Sequence, residues 1–443
     1  MGTIIGTAFA FALVFGILVF VHEFGHFFMA KLVNIRVEVF SWGYGKRLLG
    51  IKKGDTDYRI SVLPLGGYVR FTGEEDYEEK KERDPREFMA KKRWQRFLVM
   101  VMGSVMNILL AVVILAGMNM VGVNVPEYQQ KKPVIGWIMP DSPAERANLQ
   151  VDDEILRING KQTETWEDVE LAVGTRPERL ITLEIERGQE IKEIEIQTES
   201  VTQYEMGYAG FLAKILTQID LVLPNSPAEK AGLQPGDVVL AIDGKPVFLP
   251  RFTETIQKNP EKELDFLVRR GDRTLNIEVT PRKEGDIGVI GVQNGATSEV
   301  KKYGFFSAIV QSVKDNAKLA FLVVNFIKDL ITGEASAKQL GGPIAIANFS
   351  YAAFRMGLMA MAGLIAFISL QLGIINLFPI PALDGGQILV LGLEGLFRRD
   401  FSSKVKQIII QIGFFILVVI MIFAVLNDVV KRLPNGWESL IPF

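Results

Sequence analysis

The chain has 443 residues, of which 49% are hydrophobic, and its formal net charge is only −2. The near-neutral charge argues against a nucleic-acid binder held by a basic face. The high apolar content makes membrane spans the first feature to seek. There is no cysteine, which excludes disulfides, thiolate metal sites, iron–sulfur clusters and cysteine nucleophiles. Any histidine-dependent chemistry must use His22 or His26, the only two histidines in the sequence.

The first predicted element is an apolar run over residues 4–32 with four polar interruptions. At about 1.5 Å per residue, it is long enough to cross a hydrocarbon core of about 30 Å. A cleaved signal peptide is the alternative, but it would begin with positive charge and have a shorter apolar core. Residues 1–3 carry no charged side chain. We therefore expect a retained first span.

That span contains the motif His22-Glu23-Phe24-Gly25-His26. Positions i and i+4 of a helix share a face, so both imidazoles can bind one metal ion. Glu23 lies about 100° around the helix and is close enough to polarise a water molecule. Two neutral nitrogen ligands and a carboxylate base are the arrangement of a zinc peptidase. Histidines that only hydrogen-bond neighbouring helices are the alternative, and they would leave Glu23 unexplained.

Residues 33–96 are predicted to be a cytoplasmic, β-rich loop. The stretch from Lys31 to Arg96 holds sixteen lysines and arginines, which places it in the cytoplasm by the positive-inside rule. Within it, residues 59–71 form a segment of alternating polarity, as is typical of β structure. The second span is predicted at about 97–123, where Asn107 can act as a hydrogen-bond donor between helices.

A duplicated module follows the second span. Asp141-Ser142-Pro143-Ala144-Glu145 recurs as Asn225-Ser226-Pro227-Ala228-Glu229, 84 positions later, and the offset continues through Asp153 and Asp237. Two copies of about 80 residues are too few and too long for a solenoid. We assign the copies to residues 133–200 and 218–282.

Each copy resembles the PDZ domains of bacterial envelope proteases. The resemblance rests on Gln234-Pro235-Gly236-Asp237 before a strand and Ile242-Asp243-Gly244-Lys245 after it. A PDZ domain accepts a peptide as an added edge strand and binds its C-terminal carboxylate. A rigid spacer or size filter is the alternative. In the first copy Val151-Asp152-Asp153 replaces Pro-Gly-Asp, so peptide binding is less expected there.

The last third of the chain is predicted to complete the membrane core. Residues 300–355 are interpreted as an amphipathic, interfacial helical connector. The third span is predicted at about 356–378 and the fourth at about 405–426. Their short connecting loop is basic, so it is predicted to be cytoplasmic, with both termini and residues 124–355 on the opposite side.

A catalytic zinc needs a third protein ligand, and no histidine or cysteine remains for it. The candidate is Asp384, in the segment Asn376-Leu377-Phe378-Pro379-Ile380-Pro381-Ala382-Leu383-Asp384-Gly385-Gly386. Pro379 and Pro381 end the third span, because proline removes backbone donors. An N-cap role for Asp384 is the alternative and is compatible with ligation.

Together, these motifs resemble the site-2 protease family of intramembrane zinc metalloproteases. The resemblance implies one Zn²⁺ per chain bound by His22, His26 and Asp384, with Glu23 as the catalytic base. It further implies that Asn376 contacts the substrate backbone or the oxyanion. Gly66-Gly67-Tyr68-Val69 resembles the membrane-reentrant hairpin that pairs with a substrate strand, and an ordinary cytoplasmic hairpin is the alternative. Gly103-Ser104-Val105-Met106-Asn107 resembles the family's G-P-x-x-N pattern, with Ser104 in place of proline.

The fold expected is a polytopic α-helical membrane protein with four transmembrane helices, a cytoplasmic or membrane-reentrant β-hairpin region and two tandem PDZ-like domains of α+β, partly open barrel type. The resemblance implies a bacterial inner-membrane endopeptidase in the lipid bilayer, with the PDZ-like pair periplasmic. Its substrates would be single-span proteins such as an anti-sigma factor of the envelope-stress (sigma-E) response, and remnant signal peptides.

Two other classes of function fit the sequence less well. A non-catalytic membrane scaffold displaying two PDZ modules would leave both histidines unexplained. A serine protease with PDZ domains would need a histidine base, and both histidines lie in the zinc-type motif. We therefore expect a zinc endopeptidase.

Overall fold

The structure is a computed structural model that describes residues 2–74, 83–201, 206–333 and 335–432. Parts of the predicted cytoplasmic loop (75–82) and of the C-terminus (433–443) lie outside these residues. The α-helices are α1 (Gly2–Leu32), α2 (Arg93–Val121), α3 (Pro143–Arg146), α4 (Trp166–Gly174), α5 (Pro227–Ala231), α6 (Arg251–Gln257), α7 (Phe305–Thr332), α8 (Pro343–Met356), α9 (Leu358–Asn376), α10 (Asp384–Leu396) and α11 (Ser403–Val430).

The β-strands are β1 (Val37–Lys53), β2 (Thr56–Phe71), β3 (Val123–Pro126), β4 (Ile135–Ile138), β5 (Glu154–Ile158), β6 (Lys161–Gln162), β7 (Leu180–Arg187), β8 (Glu190–Gln197), β9 (Glu199–Val201), β10 (Met206–Tyr208), β11 (Phe211–Ala213), β12 (Thr217–Val222), β13 (Val238–Ile242), β14 (Lys245–Pro246), β15 (Leu264–Arg270), β16 (Arg273–Val279), β17 (Arg282–Glu284), β18 (Ile287–Val289), β19 (Val292–Ala296) and β20 (Ser298–Lys301). The chain forms two compact units, Met1–Gly122 with Lys302–Phe443, and Val123–Lys301. We call them the helical unit and the repeat unit.

Four helices of the described residues are long and apolar enough to cross a membrane, as predicted. They are Ile4–Leu32, Arg93–Val121, Leu358–Asn376 and Lys404–Val430. Helix α2 begins at Arg93, four residues before the predicted start, because the backbone N–H of Lys92 donates to Gln95 Oε1 at 3.2 Å and closes the first turn.

Helix α2 packs against α1, α7, α9 and α10 within the helical unit. Its contact with α9 is built from small and branched side chains, including Ala111 against Ala366 and Leu370. Where α2 meets α9, Gly373 lies so close that a Cβ there would be 2.9 Å from Ser104 O. Glycine at such a crossing lets two backbones approach, which is how helices associate within a membrane.

The predicted connector 300–355 folds as two helices, α7 and α8. Helix α7 has 28 residues and forms the longer part of this connector. Ala308, Ser312 and Asn316 are buried on one face, and Ser312 Oγ donates to Val112 O of α2 at 2.6 Å. Spacing of four residues puts these side chains on one stripe, so α7 lies along α2.

The end of α11 is joined to the start of α8 by hydrogen bonds. Asn427 Nδ2 donates to Lys338 O at 2.8 Å and Leu340 O at 2.7 Å. The Asp428 carboxylate accepts from the backbone N–H groups of Gly342, Ile344 and Ala345 at 2.9–3.0 Å. A carboxylate that satisfies free N–H groups at a helix start is stabilising. These bonds explain why α11 continues to Val430, past the predicted end at 426.

The predicted hairpin at 59–71 is part of a larger sheet formed by β1 and β2. Residues 39–42 each have two partners, one among 57–60 and one among 67–70, while 47–53 pair with 56–61. The two strands therefore bend to make a sheet of four segments, in the order 47–53, 56–61, 37–42 and 67–71. The last segment lies at an edge.

The repeat unit contains two copies of the same arrangement of elements. The series from β4 to β11 recurs in the same order from β12 to β19. In each copy the last strand pairs with the first, β11 with β4 and β19 with β12, so the pairing continues to Ala213 and Ala296. Each copy has its own core, one around Trp166 and Leu183 and the other around Phe252 and Phe266.

Each copy also contains an ion pair in which the aspartate is buried. Arg187 donates from Nε and Nη2 to the Asp153 carboxylate at 2.8 Å each, and Arg270 makes the same two bonds to Asp237 at 2.7 Å. These hydrogen bonds raise the pKa of both guanidinium groups. Asp152 adopts φ 76° where the second copy has Gly236 at φ 93°. The first copy therefore keeps this turn without the Pro-Gly pair.

Candidate metal centre

The two histidines of α1 point their Nε2 atoms at the same position. His22 and His26 lie one turn apart, and their Nε2 atoms are 3.1 Å from each other. His26 Nδ1 lies 2.8 Å from Val99 O of α2. A backbone carbonyl there fixes the proton on Nδ1, so the Nε2 lone pair is left to face a metal.

Asp384 completes the cluster from a distant part of the chain. Its Oδ2 lies 3.2 Å from His22 Nε2 and 3.4 Å from His26 Nε2. An ion bound tetrahedrally at about 2.0–2.1 Å separates its ligand atoms by about 3.3–3.4 Å. The three distances therefore match three corners of a zinc tetrahedron.

The hydrogen bonding within the cluster also fits a bound cation. Asp384 Oδ2 is buried and has no hydrogen-bond partner among the described residues. Three groups that bring lone pairs to one point repel each other unless a proton or a metal ion lies between them. Two imidazole nitrogens and one carboxylate oxygen are a common zinc donor set. The residues present therefore fit zinc and leave a fourth position open.

Two glycines bring Asp384 to this position. Asp384 is the first residue of α10, and the loop before it folds back over the helix start. A Cβ at Gly385 would lie 2.3 Å from the carbonyl oxygens of Leu377 and Phe378, and one at Gly386 would lie 2.3 Å from Ile380 O. Only glycine allows this close return of the loop.

The crossing of α1 and α2 holds the histidines. A Cβ at Gly25 would lie 2.4 Å from Met102 O, and one at Gly103 would lie 2.3 Å from His26 Nε2. Gly103 therefore lies directly against the two histidines that are predicted to bind the metal. The sequence placed Gly103 in a motif of the second span, but only the structure shows what it faces.

Asn107 lies beside the same histidines and is fully buried. Its side-chain nitrogen is 3.4 Å from His22 Nδ1, while its Oδ1 has no partner among the described residues. The two ends of an amide are assigned from the hydrogen-bond network. With the amide turned over, Oδ1 would accept from His22 Nδ1–H, as Val99 O does from His26.

Glu23 faces the edge segment of the β1–β2 sheet. Its Oε2 accepts a hydrogen bond from Val69 N at 3.0 Å, and a Cβ at Gly67 would lie 3.6 Å from Glu23 Cγ. Gly66 has φ 128° and lies against the ring of Tyr44, which itself stacks on Tyr68 with ring centroids 5.9 Å apart. The predicted strand-pairing residues 66–69 are thus brought next to the predicted base.

The remaining predicted residues lie along the loop that leads to Asp384. Asn376 is the last residue of α9 and is half-buried, and its amide has no hydrogen-bond partner among the described residues. Pro379 and Pro381 follow the helix end, as predicted. A Cβ at Gly413 of α11 would lie 1.9 Å from Pro381 O, so the loop is packed tightly against that helix.

Comparison with known proteins decides the family. The profile of Peptidase family M50 matches residues 10–420. The chain belongs to this family. The resemblance to site-2 proteases is therefore confirmed over nearly the whole chain.

Individual relatives agree with this assignment. Protease RseP of Yersinia pestis is 32% identical over 455 residues, covering 97% of this chain and 99% of the relative. Regulator of sigma-E protease RseP of Escherichia coli (strain K12) is 31% identical over 447 residues, covering 95% and 97%. Regulator of sigma E protease of Haemophilus influenzae is 31% identical over 446 residues, covering 95% and 98%.

Membership of the family makes this chain a metalloprotease and implies zinc as its metal. The prediction of an enzyme is confirmed. The non-catalytic scaffold and the serine protease are not supported.

Proposed function

We propose that this chain is an intramembrane zinc endopeptidase that binds one zinc ion through His22, His26 and Asp384. The observation that carries the proposal is the convergence of three ligand atoms, 3.1–3.4 Å apart, two of which lie on a helix that is long and apolar enough to cross a membrane. Ionisable groups in such helices are costly and are retained for function.

Glu23 is the general base of the proposed reaction. When bound, zinc acidifies water and polarises the scissile carbonyl. Glu23 takes a proton from the attacking water and gives it to the leaving amine nitrogen as the C–N bond breaks. The Val69 N–H, 3.0 Å from Oε2, orients this carboxylate.

Two asparagines support the reaction in different ways. Asn376, with a free amide at the end of α9, donates to the substrate carbonyl oxygen, where negative charge develops. Asn107, buried against His22, fixes the orientation of that imidazole. Pro379 and Pro381 keep the intervening loop out of helical conformation, so that Asp384 returns to the cluster.

The substrate binds as an added strand on residues 66–69. A peptide bond in a transmembrane helix is shielded by its own hydrogen bonds and must unwind before cleavage. Segment 67–71 is an edge segment, and its outward-facing backbone groups other than the N–H groups of Val69 and Phe71, which bind Glu23 and Glu74, can replace the lost bonds. Its position beside Glu23 brings such a strand to the base.

Metal analysis tests the zinc site. Asp384→Ala should lose most of the zinc that purifies with the wild-type chain, because no cysteine or third histidine can replace the ligand. Glu23→Gln is the matched control and should keep about one zinc per chain while losing cleavage. Full zinc occupancy in the Asp384→Ala protein would show that the third ligand is a different residue.

The relatives' names extend the proposal to a biological setting. Several are named regulators of sigma-E protease. By analogy, this chain acts in the inner membrane on single-span proteins, such as an anti-sigma factor, and on remnant signal peptides.

We further propose that residues 33–96 are cytoplasmic and that both termini and the repeat unit are periplasmic. Reporter fusions after Gly73 and Ser402 should read cytoplasmic, and one after Lys283 periplasmic; the reverse pattern would refute this orientation.

We propose that the two repeat modules are PDZ-like domains that filter substrates by size. The alternative is that they bind peptide C-termini by strand addition. The pairing of β3 with β20 offers a clean deletion, because Pro126 lies opposite Ser298 and a short turn can join them. A filter predicts that deleting 127–297 keeps cleavage of a small substrate and admits one with a bulky periplasmic domain. Slower cleavage of both substrates, without new acceptance, would favour strand addition.

A further inference from the structure

A cavity of about 650 Å³ opens beside the metal centre in the helical unit. At one end it is lined by Val69, which contacts Glu23, and by Gly386, two residues after Asp384. At the other end it is lined by Arg96, Glu394 and Lys406. Glu394 is ten residues after Asp384 on α10, which places the two about 15 Å apart along the helix. The cavity thus leads from neighbours of Glu23 and Asp384 to a charged end.

Arg96 is the unusual group at that end. The residue is only 5% exposed, and its Nη1 contacts the sulfur of Met89 at 3.4 Å. Its Nε is buried without a hydrogen-bond partner, and no carboxylate of the described residues forms an ion pair with it. A buried guanidinium group without a carboxylate partner lowers the stability of the folded state, since arginine is normally buried only when it is paired.

The acidic side chains around Arg96 already accept hydrogen bonds from other groups. Glu394 Oε1 accepts from Lys406 Nζ at 2.7 Å and from Phe401 N at 2.8 Å. Asp400 Oδ1 accepts from Arg93 Nη2 at 2.7 Å. The cavity is lined by three cationic side chains, Arg70, Arg96 and Lys406, and by two acidic ones, Glu74 and Glu394. Arg70 is paired with Glu38 outside the lining at 2.9 Å and Lys406 with Glu394 at 2.7 Å, so Arg96 is the cation of this lining that has no carboxylate partner among the described residues.

We propose that Arg96 makes this cavity a carboxylate-binding site for the cleaved peptide. The proposal rests on the proposed function. Hydrolysis breaks the C–N bond, adds the hydroxyl of water to the carbonyl carbon and leaves a new α-carboxylate, with the proton on the amine. That carboxylate forms at the metal end of the cavity. The guanidinium fork of Arg96 matches it with two parallel hydrogen bonds.

The cavity wall favours a peptide over other anions. Tyr68, Val69 and Arg70 of the edge segment form part of it, so a peptide paired with that edge extends into the cavity. Arg96 lies one helical turn before Val99, whose carbonyl oxygen contacts His26. A cleaved peptide that moves along the cavity from its metal end therefore brings its new terminus to Arg96. An acidic side chain of the peptide is the other source of the same chemistry.

Binding of matched peptides tests the proposal without requiring catalysis. The protein is the full-length Glu23→Gln chain, loaded with zinc, in detergent. The probes are a fluorescent apolar peptide with a free C-terminal carboxylate, the same peptide with a C-terminal amide, and the amide with a glutamate near its end. Fluorescence anisotropy should show the acid binding about tenfold more tightly than the plain amide. Equal binding of acid and amide would refute the site.

Variants assign the preference to the guanidinium. In the added Arg96→Gln variant the acid and amide should bind equally, and Arg96→Lys should restore part of the preference, because lysine keeps the charge without the fork. Arg399→Gln removes an exposed positive charge that does not line the cavity and should leave the preference unchanged. Zinc content, measured on every variant, verifies that the centre is intact. A preference that survives Arg96→Gln would overturn the proposal.

The remaining arms identify the source of the carboxylate. If the glutamate-bearing amide binds as tightly as the acid, the site takes a side-chain carboxylate of the substrate as well. Displacement of the acid by phosphatidylglycerol micelles or by inorganic phosphate, at concentrations where a peptide acid does not compete, would show an anion site for phosphate and refute a peptide site. Cleavage by the Glu23→Gln chain would disprove the proposed base and still leave the binding comparison valid.

Discussion

The helical unit and the repeat unit differ in how fully their buried polar side-chain atoms are hydrogen-bonded. In the helical unit, Asp384 Oδ2, Asn107 Oδ1 and Arg96 Nε are buried without hydrogen-bond partners among the described residues. In the described part of the repeat unit, Thr217 Oγ1 is the one such side-chain atom. A native fold satisfies nearly all its buried polar groups unless a ligand or a reaction needs them. Of the three atoms named in the helical unit, two lie at the predicted metal centre and Arg96 Nε lies at the cavity beside it, and the described part of the repeat unit has no comparable group.

The largest expected effect is on catalysis in the helical unit. Glu23→Gln removes the base but keeps the size of the side chain, so cleavage should fall by about 10²–10⁴-fold or more, while zinc content and thermal unfolding remain unchanged. Cleavage of a transmembrane substrate in detergent, with zinc measured on the same samples, tests this. Wild-type activity in this variant would remove Glu23 from the mechanism.

The next effect is on stability in the repeat unit. Asp237→Ala leaves Arg270 without its carboxylate, which costs about 3–5 kcal/mol for a buried pair. The lower end is expected here, because the Arg270 side chain is 31% exposed. Urea-dependent proteolysis of the full-length protein should show the second module unfolding earlier. Asp243→Asn, in an exposed pair with Lys262, is the matched control and should change stability by less than about 1 kcal/mol.

Asp153→Ala makes the equivalent change in the first module, where Arg187 is 24% exposed. The two modules should lose similar stability, since their ion pairs have the same geometry. Neither variant should lose zinc. Loss of zinc from either one would mean that the repeat unit contributes to the metal centre, and the contrast between the units would fail.

A smaller, local effect is expected where α1 crosses α2. Gly103→Ala places a methyl group against His26 and His22 and should cost about 1–3 kcal/mol of packing strain. Because the strained atoms belong to the proposed zinc ligands, zinc affinity should fall by about 10–100-fold. Gly117→Ala lies on the same helix with nothing within 4 Å and should keep normal zinc affinity. Equal affinity in both variants would contradict the close approach of Gly103 to the histidines.

The smallest expected effect concerns the helix caps of the two modules. Ser142 accepts a hydrogen bond from Glu145 N, and Ser226 accepts one from Glu229 N. Replacing either serine by alanine should lower the stability of its module by about 1 kcal/mol. Thermal unfolding should show shifts of similar size for both, and a difference of more than about 1 kcal/mol would show that the copies are not equivalent.

The sequence predicted the parts of the site that follow from spacing and composition. His22 and His26 are four residues apart on a helix. Asp384 was the candidate for the third ligand because no other histidine and no cysteine remained, and it follows two prolines that end the third span. The structure brings these three together, with Glu23 beside the edge segment. The four spans were predictable for the same reason, since a bilayer requires about 20 apolar residues in a row.

The rest depends on contacts between distant segments. Arg96 looked like one of the sixteen basic residues between Lys31 and Arg96, and its burial follows only from the packing around Met89. The role of Gly385 is set by the loop carbonyls that return over it. Asp152 shows the reverse case, in which a change of sequence leaves the turn unchanged. Periodicity describes one segment at a time, so it could not predict any of the three.

The pairing of β3 with β20 has a consequence for how such a chain could have evolved. Because Val123 lies opposite Lys301, the repeat unit starts and ends at one place. Inserted segments whose ends lie close together are accommodated with little disturbance to the host. A gene duplication between β3 and β20 adds a module without moving the residues at either end. Ancestral proteases with one module, or with none, would therefore have had the same two attachment points, and copy number could change while the helices of the helical unit stayed the same.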